Sequence, residues 1–106
     1  MIQESSYDQV VALIRLKENV AVFLYVEGDP ICHRSRSVLS AFSSKLGSIG
    51  YSVLALCVDE YSSHYEEVSC VRIPQLRLFR RGRMWSKTTG MLTHEGLDTA
   101  VKSAMP

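Results

Sequence analysis

No apolar run in the sequence approaches the ~20 residues that a membrane-spanning helix requires, and the opening MIQESSYDQV lacks the basic start and apolar stretch of a secretory signal. A cytoplasmic protein with no membrane contact is therefore expected. Cysteine is scarce and odd in number. Cys32, Cys57 and Cys70 match no zinc spacing, which argues against a disulfide framework and leaves at least one thiol free. Glycine-rich phosphate loops, serine-triad motifs and paired-carboxylate signatures are all missing. Asp29, Cys32 and His33 are metal-ligand types, but adjacent helical positions point in different directions and no second ligand pair completes a site. His64 and His94 stand alone at helix starts. Neither a metal nor a cofactor is expected.

Proline is rare as well, with three in the chain, and a hydrophobic fraction of 46% against 22% charged residues excludes a disordered composition. The length of 106 residues suits one domain, residues 1–106, with a single core. Acidic residues are absent between Glu67 and Glu95, where Arg72, Arg77, Arg80, Arg81, Arg83 and Lys87 all fall, so that segment carries +6 within a net charge of +1. Such polarity can steer an acidic partner, although a hairpin edge guarded by charge explains it equally well. The basic stretch RLFRRGRMWSK also mixes arginine with Phe79 and Trp85. That mixture suits RNA or single-stranded DNA, yet the aromatic spacing matches a strand core too, and nucleic acid ranks behind a protein partner.

Ser6 and Gln9 form a capping box, and Tyr7, Val10, Val11 and Ile14 follow at helical spacing, predicting a helix to about Lys17. Val20 to Val26 is a continuous apolar run, as in a strand buried on both faces of a parallel sheet. Asp29 is a good N-cap and Pro30 a favoured first helical residue, so a second helix is expected from Pro30 to about Leu46, with Gly47 just past its end and Val38, Ala41, Phe42 and Leu46 facing inward. Tyr51 to Val58 is the next strand, reached by a right-handed crossover. Ser63 and Glu66 offer a capping box for a short helix ending near Ser69. QLRLFR and RMWSKT then form a hairpin through Arg81-Gly82, and Thr93 caps a last helix with Leu97, Ala100, Val101 and Ala104 on one face. The order is α-β-α-β-α-β-β-α.

That order, with three local segments, resembles the thioredoxin family over nearly the whole chain. VAVFLYVEGDPICHRSRSVLSAF is similar to the family's strand and active-site helix, LALCVDE to its strand ending in an acidic residue, and VRIPQLRLFRRGR to its cis-proline segment and hairpin. The resemblance implies an α/β thioredoxin-like fold with a central mixed β-sheet flanked by helices. It also implies that Ile73-Pro74 is cis, whereas the residues alone fit an ordinary trans proline opening a strand. A peptide groove is implied at Gly28–His33, Arg72–Pro74 and Thr89–Met91, within which Ile73 pairs with an extended peptide and Gly28 and Gly90 flank it. The candidate contacts are Gly28, His33, Arg72, Ile73, Pro74, Thr89, Gly90 and Met91, with Arg80, Arg81 and Arg83 as a second, basic patch.

The family's catalytic pattern is not matched. Its two cysteines align with Asp29 and Cys32, so the turn is Asp29-Pro30-Ile31-Cys32; Gly28 replaces a tryptophan, Phe23 a buried acid and Ala55 a lysine. Dithiol exchange needs an attacking thiolate, a resolving thiol and proton management together, and here the attacking thiol is missing. A D-P-x-C turn is also similar to that of the small thioredoxin-like subunit of the spliceosome, an interaction protein, over those four residues. Two readings of Cys32 stay open. Asp29 and Cys32 make a sound helix start with a small buried residue in its first turn; or Cys32 is a reactive monothiol, favoured by the helix dipole and by His33 and Arg34 but opposed by Asp29. A Cys32–Cys70 disulfide would need Cα atoms within about 7 Å. The function expected is a redox-inactive module that binds an extended peptide or an acidic surface; the alternative is a monothiol thiol–disulfide oxidoreductase or redox sensor acting through Cys32.

Overall fold

The Ser6 hydroxyl accepts a hydrogen bond from the Gln9 N–H while the Gln9 side chain accepts from the Ser6 N–H, and this reciprocal cap starts the first helix of the computed structural model. The structure describes residues 2–16, 18–58 and 73–104. Their order is β1 (Ile2–Glu4), α1 (Tyr7–Arg15), β2 (Val20–Tyr25), α2 (Pro30–Ser48), β3 (Ser52–Cys57), β4 (Gln75–Arg80), β5 (Arg83–Thr89) and α3 (His94–Ala104). The short helix expected over 63–69, Arg72 and Cys70 lie outside the described residues.

The five strands form one mixed sheet in the order β1-β3-β2-β4-β5, parallel from β1 to β2 and antiparallel from β2 onward. β2 is central, and its continuous apolar run divides between two cores. Ala21 and Phe23 face Leu39, Phe42 and Leu46 of α2 and Leu97 and Val101 of α3, whereas Val20, Val22 and Leu24 face Val10 of α1. Burial on both faces is why the run does not alternate with polar residues.

Three expectations need correction. β1 precedes the first helix and has no counterpart in the expected order; its three residues, IQE, are half-exposed to exposed and carry no apolar alternation, and only parallel pairing with β3 makes them a strand. α2 runs through Gly47 to Ser48, because the chain reverses at Gly50 (φ 91°) rather than at Gly47. The Leu46 carbonyl closes that end by accepting from the N–H groups of both Ile49 and Tyr51. Within α2, Ala41 is exposed and Leu39 fills the core position instead. Other ends differ by a residue or two, as frayed termini do.

Candidate functional site

At the C-terminal end of β2 the chain turns through Gly28 (φ 82°) and enters α2 with Asp29 as N-cap. One Asp29 carboxylate oxygen accepts from the Ile31 N–H at 2.8 Å and from the Cys32 N–H at 3.3 Å. The donors that would otherwise favour an anion at this helix start are therefore occupied by the protein's own carboxylate. Cys32 lies underneath and is 2% exposed. Burial pushes its thiol up from the usual value of 9.0, Asp29 and Cys57 push the same way, and a backbone hydrogen bond at Val26 opposes them. Pro30, Ile31 and His33 are on the exposed side of this turn.

The facing segments are tied together and to α2 by two hydrogen bonds. Ile73-Pro74 is a cis peptide, and the Pro74 carbonyl accepts from the Gly90 N–H at 2.9 Å, bringing Thr89, Gly90 and Met91 beside Ile73 and Pro74. The Leu92 N–H donates to the Ser35 hydroxyl at 2.9 Å, and Ser35 is wholly buried, one turn along α2 from Ile31. Gly90 has φ 83°, so its left-handed backbone is what favours glycine there; a Cβ would meet nothing within 4 Å. Near this junction Ile31 and Met91 stand 46% and 47% exposed, large apolar side chains on the surface. Sequence reasoning misses Ser35. Its signal is a hydroxyl on the inward stripe of α2 three residues after Cys32, which needs a partner if buried.

Beside the helix start lies a cleft of about 480 Å³, lined among others by Glu4, Tyr25, Asp29, Cys32, His33 and Arg36. Glu4, Tyr25 and Arg36 bind one another within it. The Tyr25 hydroxyl donates to Glu4 at 2.8 Å, Arg36 pairs with the other Glu4 oxygen, and the Arg36 guanidinium lies 5.5 Å from the Tyr25 ring centre. Burial, then the bond to Glu4, push the Tyr25 phenol up to about 12. Sequence reading could not find this cluster, because Glu4 reaches it from β1.

The basic hairpin is elsewhere. Gln75 pairs with Thr89 at the Pro74 end of the β4–β5 ribbon, and Arg80 pairs with Arg83 at the other, about 17 Å away at the usual rise per residue. Ile73 and Pro74 thus stand beside Thr89–Met91, and Leu92 is tied to Ser35 of α2, while Arg80, Arg81 and Arg83 lie at the other end of the ribbon. Arg80, Arg81, Arg83 and Trp85 line a separate hollow of about 530 Å³. Among the described residues no group of three or more His, Cys, Asp and Glu side chains could hold a metal ion, and no helix is long and apolar enough to cross a membrane.

No family model and no curated protein matches the sequence. Solved structures do match in shape. The chain is similar to the thioredoxin Mala s 13 of Malassezia sympodialis at a TM-score of 0.81 and 21% identity, covering 97% of this chain and 92% of that one. The oxidised thioredoxin of Plasmodium falciparum gives 0.82 at 17% identity with complete coverage of both chains. Mitochondrial thioredoxin 3 of Saccharomyces cerevisiae gives 0.79 at 16%, covering 96% and 94%. With a central mixed sheet, helices on both faces and this agreement over essentially the whole chain, the protein has the thioredoxin fold.

Proposed function

We propose that this chain is a thioredoxin-fold protein-interaction module without dithiol exchange activity, and that it holds an extended peptide against Ile73, Pro74, Gly90 and the start of α2. The carrying observation is the helix start itself. Asp29 stands where the resemblance puts the attacking cysteine, and the remaining thiol, Cys32, is buried beneath it with its proton held more tightly than usual. A thiol-exchange cycle needs an accessible thiolate first. Exposed Ile31 and Met91 support a contact surface of apolar anchors, the kind that a bound peptide desolvates. The basic hairpin, at the far end of the ribbon, does not contribute to that contact.

Two measurements test the proposal. Dithiothreitol-driven reduction of insulin should run at its uncatalysed rate with the protein present; acceleration abolished by Cys32→Ser would refute the redox-inactive reading. Peptides selected from a library on the wild-type chain should lose binding to an Ile31→Asp/Met91→Asp variant, and unchanged binding would remove the groove from the proposal.

A second reading follows from Cys32 being among the residues that line the cleft. A lone thiolate there would attack one sulfur of a disulfide and release the other as a thiolate, forming a mixed disulfide. Alkylation mapped by mass spectrometry separates the two. Little labelling of Cys32 before unfolding supports the module; a saturating reaction with an apparent pKa below the ~8.5 of a free thiol supports the monothiol.

A further inference from the structure

The turn joining β4 and β5 has positive φ at both central residues, Arg81 (55°) and Gly82 (79°), as a two-residue hairpin loop requires. Arg80 and Arg83 pair across it. Three guanidinium groups therefore leave the chain within four positions, all three residues are exposed, and none forms an ion pair among the described residues.

Trp85 completes the patch through an irregularity. Met84 pairs with Phe79 and Ser86 with Leu78, so Trp85 is an extra residue in β5, and an insertion of this kind re-aims side chains. Its indole N–H donates to the Tyr51 hydroxyl at 2.9 Å, and the Arg80 guanidinium lies over its ring at 4.9 Å. The stack is held from two sides before any ligand arrives, which lowers the ordering cost of binding.

We propose that this hollow binds single-stranded nucleic acid, through one or two nucleotides and with little preference among bases. Among the described residues its lining holds three cations and no carboxylate. Arginine presents a planar fork that matches phosphate oxygens in pairs, and a guanidinium plane steadied by an indole is a surface on which any base can stack. The volume of about 530 Å³ falls within the range of small-ligand sites, larger than a bare anion needs. An acidic strand laid along β5 fits less well, because the bulge and the charged positions Arg83 and Lys87 are devices that guard an edge against pairing. The hollow and the groove are separate surfaces, so the fate of one proposal does not decide the other.

Trp85 is the chain's single tryptophan, and its emission reports on the site directly. Titration of the full chain with an oligouridylate of about eight nucleotides should quench that emission, with affinity falling as salt rises. Arg81→Asn/Arg83→Gln, in which Asn suits the left-handed turn position, should weaken binding at least tenfold and flatten the log–log salt slope by about 0.7 for each phosphate no longer neutralised. Arg80→Lys keeps the charge and removes the plane, and should weaken binding about threefold or more at an unchanged salt slope. Three results would overturn the proposal: no binding at low salt, equal affinity for polyglutamate of the same length, or an Arg80→Lys variant that binds as tightly as wild type.

Discussion

The two ends of the β4–β5 ribbon solve opposite problems. At the Pro74 end two carboxylates are met within the protein, Asp29 by backbone N–H groups and Glu4 by Tyr25 and Arg36, and two large apolar side chains, Ile31 and Met91, stand outward. At the Arg81 end three cations stay unpaired among the described residues and the apolar group, Trp85, is drawn inward by Tyr51. The peptide proposed for the first end offers backbone and apolar side chains; the nucleic acid proposed for the second offers anions and flat rings. The two proposals are compatible because the ends of the ribbon are separated by the length of the strands.

The largest expected effect is at Ser35. Ser35→Ala removes the hydroxyl that accepts from the Leu92 N–H in the buried interior and leaves that donor without its partner, so denaturant unfolding should show a loss of about 1–3 kcal/mol. Amide exchange should quicken at Leu92 while the hairpin tip stays unchanged; equal quickening at both ends would mean that the two are mechanically coupled. Asp29→Ala comes next, at about 0.5–2 kcal/mol for a lost N-cap. The same change removes a carboxylate and frees two N–H donors, so the Cys32 thiol should titrate lower, read as faster alkylation at a given pH.

Alkaline pH should also distinguish the ends. The folded state holds the Tyr25 proton up to about 12 against the usual 10.0, so its stabilisation is complete below pH 10.0 and is lost as pH rises through 12. The raised Cys32 thiol acts in the same direction. Tyr25→Phe should flatten the fall in stability over that window, as followed by urea midpoints; the arginine tip stays charged throughout. The smallest effect belongs to Lys102→Ala, which removes an exposed i,i+4 pair with Asp98 and should shift stability by no more than about 0.5 kcal/mol, with both ends of the ribbon unaffected.

What was legible in the sequence had a local cause. The Ser6 and Asp29 caps are short-range hydrogen-bonding devices, and β2 announces itself because it is buried on both faces. The illegible parts depend on partners far along the chain. β1 is a strand because β3 lies beside it, Ser35 matters because Leu92 returns to it, and Trp85 is aimed by a bulge in a pairing that no local pattern encodes. Gly47 misleads because a glycine usually marks a helix end, yet buried Leu46 accepts the closing bonds and Gly50 takes the left-handed turn. The hairpin arginines stand out by composition, but their separation from Pro74 and Gly90 is a matter of strand register.

The parallel pairing of Ile2 with Val53 has a consequence for how the chain is made. On the ribosome, β1 must wait for about fifty further residues to be synthesised before its backbone partner exists. Tyr25 and Arg36, which grip Glu4 by its side chain, are both translated before β3. β1 is therefore laid into the sheet only after the two residues that can hold its place have already appeared.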